Sequence, residues 1–203
     1  MQAVRGLEKS LSGVVLAGGR NSRMGGLDKG QIPLRGVPLA LRAVRLLAAV
    51  FEEVVLVTNS ASGYPDAPAG VLLACDLFPG QGPLAGIHAG LSRSSREAAF
   101  CVACDMPFLS AALIRKLARR FRELGCDVLL PRVRGEIEPL HALYHRRLLG
   151  DMERILSDGK GNSIRRLFPV VRTEYFDLED TAATRRIFTN LNTPEDIHKI
   201  CGA

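Results

Sequence analysis

The 203-residue chain is 47% hydrophobic and 24% charged, proportions that support a packed core and exclude a disordered or collagen-like polymer. Lys and Arg number 27 against 21 Asp and Glu, so the formal charge is +6 and an anionic partner is expected, a phosphorylated small molecule or a nucleic acid. No apolar run approaches the ~18 residues of a spanning helix, which excludes a membrane-spanning protein at this level. Arg5, Glu8 and Lys9 break the first dozen residues where a secretory signal would be apolar, and five cysteines fit a reducing compartment better than a disulfide framework. A cytoplasmic protein is expected.

Elements follow in chain order. Ser12 to Ala17 is apolar and stops at Gly18 and Gly19, the pattern of a buried strand. Pro38 suits a first helical position, and Leu39, Ala43, Leu46, Leu47 and Val50 recur at helical spacing, predicting a helix over residues 38–51. Val54 to Thr58 and Val71 to Cys75 read as strands. Leu84 to Ser94 reads as a helix after the Gly82-Pro83 turn, and Ala99 to Cys104 as another apolar strand. Ser110 is a helix N-cap, with Leu113, Ile114, Leu117, Phe121 and Leu124 on one face and Gly125 as the stop. Strands are expected to begin at Asp127, to cover Leu140 to Tyr144 and to cover Val170 to Phe176, with a helix over Leu148 to Leu156. Thr193, Pro194, Glu195 and Asp196 open a last helix. Strands alternating with helices predict an α/β domain with a mostly parallel sheet covered on both faces. With no repeat and no low-complexity linker, residues 12–203 read as one domain and residues 1–11 as an N-terminal extension. Ligands of such sheets bind beyond the carboxyl ends of the strands. That rule selects residues 18–30, 76–86 and 105–110.

The first of these loops carries the strongest chemistry. A buried strand ends in Leu16, Ala17, Gly18 and Gly19, followed by Arg20, Arg23, Gly25, Gly26, Asp28 and Lys29. Glycines let backbone N–H groups close on an anion, and Arg23 and Lys29 add fixed cations, which is what a triphosphate needs. The loop is not a Walker A motif, because Gly-x-x-x-x-Gly-Lys-Ser/Thr does not occur here. Arg20 and Asp28 read as solvated charges.

The run from Leu16 through Arg23, Met24 and Gly25 to Asp28 and Lys29 resembles the signature of the molybdenum cofactor guanylyltransferases, members of the Rossmann-like nucleotidyltransferase superfamily. Gly82-Pro83-Leu84-Ala85-Gly86, Cys104-Asp105-Met106-Pro107-Phe108, Glu138-Pro139-Leu140 and Asn190-Leu191-Asn192-Thr193-Pro194-Glu195 resemble further blocks of that family, in family order. The resemblance implies a three-layer sandwich of the nucleotide-diphospho-sugar-transferase type. It implies transfer of GMP from GTP to the phosphate of molybdopterin with loss of pyrophosphate, assisted by Mg²⁺ or Mn²⁺. The implied partners are GTP, molybdopterin and, transiently, molybdenum insertion proteins and acceptor apo-enzymes. The chain is expected to act as a monomer.

The same resemblance implies the residue roles. Asp105, at the carboxyl end of a strand, is the implied metal ligand, and Lys29 and Arg23 the implied catalytic cations. Leu16, Ala17, Gly18, Gly19, Lys29, Asn59, Asp76 and Asp105 are the implied nucleotide contacts. Gly82, Pro83, Leu84, Ala85, Gly86, Asn190 and Asn192 are implied on the acceptor side. Where some family members carry an asparagine near the end of the second strand, this chain has Val57, with Asn59 two residues on and on the same strand face.

The residues leave rival readings. CMP transfer from CTP to the same acceptor is one, although cytidylyltransferases of the superfamily usually read Leu-Ala-Ala-Gly where this chain has Leu16-Ala17-Gly18-Gly19. Another small-molecule nucleotidyltransferase and a catalytically silent molybdopterin carrier are others. A nucleic-acid binder should interleave basic with aromatic residues, but aromatics are 5% and Trp is absent. Cys101 and Cys104 read as buried structural thiols, since residues three apart on a strand face opposite sides.

Overall fold

β1 (Leu11–Leu16) is buried along its whole length, because its alternate side chains enter two different apolar layers. Leu11 and Val15 pack on one face of the sheet, and Val14 and Leu16 on the other. The strand begins one residue before the expected Ser12, so Leu11 belongs to the sheet. These observations come from a computed structural model, which describes residues 9–18, 28–60, 64–161, 163–193 and 195–196.

Two short strands, β2 (Pro33–Leu34) and β3 (Val37–Pro38), form a small hairpin before helix α1 (Leu39–Ala48). Pro38 is therefore the residue before the helix rather than its first. There follow β4 (Glu53–Val57), β5 (Leu72–Ala74), α2 (Gly82–Arg93), β6 (Ala98–Ala103) and α3 (Ala111–Leu124). Then come β7 (Val128–Val133), β8 (Glu136–Ile137), β9 (His141–His145), α4 (Leu149–Ser157), β10 (Thr173–Leu178) and α5 (Ala182–Ile187). The main sheet runs β10-β7-β9-β6-β1-β4-β5, with β8 beside β7. All neighbours on this path are parallel except at β9, which runs against both β6 and β7.

Helices cover both faces. Leu41, Val44 and Leu47 of α1 and Ile114, Leu117 and Phe121 of α3 build one apolar layer. Leu84, Ile87 and Leu91 of α2 and Met152 and Leu156 of α4 build the other. The expected three-layer α/β architecture is thus present. Cys101 and Cys104 fall in opposite layers. At Gly90 a Cβ would lie 2.4 Å from Val14 Cγ1, so glycine lets α2 settle directly on β1. Ser110 caps α3 by accepting from Leu113 N–H, and Gly125 ends it at φ +58°.

One helix is unexpected and another is described only in part. α5 was not foreseen, because none of its residues is buried and it has no apolar stripe to reveal it; Thr181 starts it by accepting from Thr184 N–H. The last expected helix is described only at its start, where the Asp196 side chain accepts from the N–H groups of Asn192 and Thr193. Its remaining residues lie outside those described.

β9 buries His141 between the rings of Phe100 and Phe188, edge to face at 4.9 and 5.1 Å. Neither ring nitrogen has a hydrogen-bond partner among the described residues. Burial without a partner holds the imidazole neutral and lowers its pKa to about 3. The unfolded chain takes up that proton below its ordinary value of about 6.5, whereas the folded chain does not. Unfolding is therefore favoured by acid, by about 1.4 kcal/mol per pH unit as pH falls from 6 to 4. His141→Phe should remove this contribution and flatten the dependence of Tm on pH over that interval. Equal slopes for the two proteins would contradict the assignment.

Candidate active site

The strand order changes direction around β1. Helix α1 leaves β1 toward one face, α2 enters from β5 on the other, and β6 returns on the far side of β1. A crevice is expected outside the carboxyl ends of strands at such a switch. The structure has an open cleft of about 610 Å³ there. Its walls come from Leu16, Ala17 and Gly18 at the end of β1, Val57 and Asn59 at the end of β4, Asp76 after β5, Gly82, Pro83 and Gly86 of α2, and Cys104 and Asp105 after β6. Leu140 closes one side. The size is that of a small-molecule site.

Lys29 reaches this cleft from a 3₁₀ turn over Lys29–Gln31. Its ammonium donates to Asp105 Oδ2 at 3.3 Å and to Asn192 Oδ1 at 3.1 Å. The side chains of Lys29 and Asp105 are 24% and 18% exposed, so the pair is open to a ligand yet partly shielded from solvent. The segment carrying Asn192 is tied in by Leu191 N–H, which donates to the Asp105 main-chain oxygen at 2.9 Å. Residues separated by 163 positions thus meet at one cation.

In the same cleft, α2 begins at Gly82 with Pro83 in its first turn. Gly82 takes φ +71°, a turn that glycine allows. The start of the helix, with its free N–H groups and positive dipole end, lines the cleft. Gln81 fixes the approach by donating to the Leu156 carbonyl at 3.0 Å. Asn59 Oδ1 accepts from Asp76 N–H at 3.4 Å, and Asp76 Oδ1 accepts from Phe78 N–H at 2.8 Å. This leaves Asn59 Nδ2 and Asp76 Oδ2 without partners among the described residues, one donor and one acceptor on adjacent strand ends.

The expected residues are therefore placed unequally. Leu16, Ala17, Gly18, Lys29, Asn59, Asp76, Asp105, Gly82, Pro83 and Gly86 all line the cleft. Asn192 joins them through Lys29. Leu84 and Ala85 do not: both are fully buried, with their side chains in the apolar layer under the cleft. Their positions in the first turn of α2 turn them toward the sheet. Asn190 is exposed and not part of the cleft wall. Gly19 and Arg23 lie outside the described residues. Asp28, read as a solvated charge, is half-buried and caps the turn of Lys29 through Gly30 N–H at 2.9 Å.

Tyr64 was not singled out by the sequence. It is buried and donates to Asp28 Oδ2 at 3.2 Å. Burial, with the Asp28 charge beside it, pushes its phenol well above the ordinary range, so it stays a neutral donor. Burial likewise keeps the Cys104 thiol protonated, and Asp105 and Asp28 act in the same direction, so Cys104 is a wall of the cleft and not a nucleophile. No group of three His, Cys, Asp or Glu residues placed to hold a metal occurs among the described residues. A divalent cation here would take Asp105 and borrow its other ligands from phosphate and water, which is how Mg²⁺ is commonly held. Asp105, a partly exposed carboxylate on the wall of a cleft large enough for a phosphorylated ligand, fits that ion.

Comparisons with known proteins agree with this architecture. Residues 13–175 match the family model described as the MobA-like NTP transferase domain. A molybdenum cofactor guanylyltransferase from Vibrio atlanticus is 35% identical, covering 94% of this chain and 95% of its own length. One from Desulfosudis oleivorans is 34% identical, covering 94% of each chain. The crystal structure of molybdopterin-guanine dinucleotide biosynthesis protein A from Archaeoglobus fulgidus superposes with TM-score 0.79 at 26% identity, covering 94% of this chain and 97% of that one. With its cleft at the switch of a mostly parallel sheet and a family match over most of its length, the chain belongs to the MobA-like NTP transferase family.

Proposed function

We propose that this enzyme transfers GMP from GTP to the phosphate of molybdopterin, releasing pyrophosphate and forming the guanine dinucleotide form of the cofactor. The observation that carries the reading is the convergence of Lys29 and Asp105, 3.3 Å apart, in one cleft with the N-terminus of α2. The names of the Vibrio and Desulfosudis relatives support it.

The attacking group is a phosphate oxygen, already ionised, so no general base is required. A bond forms from that oxygen to the α-phosphorus of GTP, and the bond from the α-phosphorus to the bridging oxygen breaks, with the electron pair leaving on pyrophosphate. The protein's work is to align the groups and neutralise developing charge. Lys29 supplies a cation near the transferred phosphoryl. Gly18 and the first turn of α2 supply backbone donors on two sides. Asp105 holds Mg²⁺ or Mn²⁺, which neutralises phosphate charge when bound. Asn59 Nδ2 and Asp76 Oδ2 present a donor and an acceptor to the base or ribose. Guanine offers the N1–H and N2–H donors and the O6 acceptor that such a pair takes.

Arg23 and Gly19 complete the phosphate contacts in this reading. Asn192 and the start of α2 face the acceptor. The enzyme works as a monomer in the cytoplasm and passes its product to molybdenum insertion proteins or apo-enzymes. No helix among the described residues is long and apolar enough to cross a membrane.

Nucleotide selectivity tests the reading. Thermal unfolding with GTP, CTP and ATP, each with and without Mg²⁺, should show a rise in Tm with GTP. A ligand at a hundredfold excess over Kd stabilises by about 2.7 kcal/mol. A rise with CTP in its place would move the enzyme to cytidylyl transfer.

A further inference from the structure

The cleft lysine is held by a chain of contacts that begins outside the cleft. Asp28 spends both carboxylate oxygens: Oδ1 accepts from Gly30 N–H at 2.9 Å, and Oδ2 accepts from Tyr64 O–H at 3.2 Å. The first bond caps the turn that carries Lys29. The second ties that cap to the segment after β4. The turn has no slack. A Cβ on Gly30 would lie 2.2 Å from Tyr64 Oη, 3.0 Å from Ala17 Cβ and 3.2 Å from Ala40 Cβ. The backbone at Gly30 is thus pressed against the exit of β1, the start of α1 and the tyrosine hydroxyl at once.

We propose that Tyr64 is a positioning residue for Lys29, its hydroxyl acting through Asp28 to hold the lysine-bearing turn against β1 so that the ammonium meets Asp105 and Asn192. For catalysis the proposal rests on the guanylyl-transfer reading; for the position of Lys29 it does not.

The test uses the full chain with Tyr64→Phe, Gly30→Ala and, as a control, Ser12→Ala. Ser12 makes a buried hydroxyl contact to Ser94 at 2.8 Å at the opposite end of β1, so its loss costs a comparable bond far from Lys29. Each protein is acetylated with limiting acetic anhydride without nucleotide or metal, and modification of Lys29 is read by peptide mass spectrometry against the exposed Lys160. The Lys29-to-Lys160 ratio should rise by about threefold or more in Tyr64→Phe and Gly30→Ala as the turn opens locally, and stay at the wild-type value in Ser12→Ala. In the transfer assay, kcat should fall by about tenfold in Tyr64→Phe, as expected when a charge-stabilising group is displaced by a fraction of an ångström, with Ser12→Ala unaffected. An unchanged Lys29 ratio in Tyr64→Phe overturns the proposal, as does an equal rise in Ser12→Ala. If the wild type transfers no GMP, the functional reading fails, while the labelling ratios still decide the role of Tyr64.

Discussion

Asp105→Ala is expected to lower guanylyl transfer by about 10³-fold or more, since a metal ion on transferring phosphate is worth several kcal/mol of charge stabilisation and each 1.4 kcal/mol is about tenfold in rate. Asp105 is the carboxylate that meets Lys29 in the cleft, and no three-residue metal cluster occurs among the described residues to substitute for it. The fold should survive. The bond that tethers the segment after α5 runs from Leu191 N–H to the main-chain oxygen of Asp105, which alanine keeps. Asp105→Asn keeps the shape as well and should be nearly as inactive, which separates charge from packing. Rates measured over a Mg²⁺ series, with melting curves of both variants, check this. Full activity in either variant would remove Asp105 as the metal ligand.

Lys29→Ala should cost about 10²–10³-fold in kcat, the scale seen when one preorganised donor to a developing oxyanion is removed. The loss is electrostatic. Without the ammonium, Asp105 stands 3.3 Å from an empty position and presents its negative charge to incoming phosphates. Stability should change little, because the pair is partly exposed and solvent screens it. Lys29→Arg should restore only part of the rate: a broad planar guanidinium does not put a compact charge at the same point. Steady-state kinetics on the three proteins measure this, and a Lys29→Ala enzyme with wild-type kcat would rule the lysine out of the chemistry.

Much of the site was legible because its signals are local. A buried strand running into glycines, then a lysine, is chemistry written in consecutive residues, and the structure puts Gly18 and Lys29 in one cleft. Asp105 and Asp76 were legible for the same reason, each standing directly after an apolar strand. What the sequence hid are contacts between distant residues. Nothing near Asn192 says that its amide meets Lys29, and nothing near Tyr64 says that its hydroxyl holds Asp28. The cap itself was readable in principle, since a carboxylate two residues before a glycine N–H is a common local bond, but the charge on Asp28 suggested solvent instead. Leu84 and Ala85 differ in another way, since their side chains are buried in the apolar layer and only their main chain is left for the cleft. A motif treated as one contact surface is a helix turn, and a helix shows only some of its residues to the cleft.

The fold divides along similar lines. Strands buried on both faces were visible as apolar runs, and helices α1 and α3 as apolar stripes. Boundaries moved by one to three residues where caps compete, as at Pro38. The antiparallel run of β9 within an otherwise parallel path could not be read from its five residues, because register and direction are set by partners.

The measurement that bears most directly on the account is incubation of the full chain with molybdopterin, Mg²⁺ and GTP labelled at its α-phosphate, with CTP labelled in the same way in a parallel reaction. The label from GTP is expected to appear in a pterin dinucleotide, with one pyrophosphate released per transfer and none of the CTP label moving. Label that stays in GTP, or that moves to the pterin from CTP instead, would contradict guanylyl transfer as the activity of this cleft.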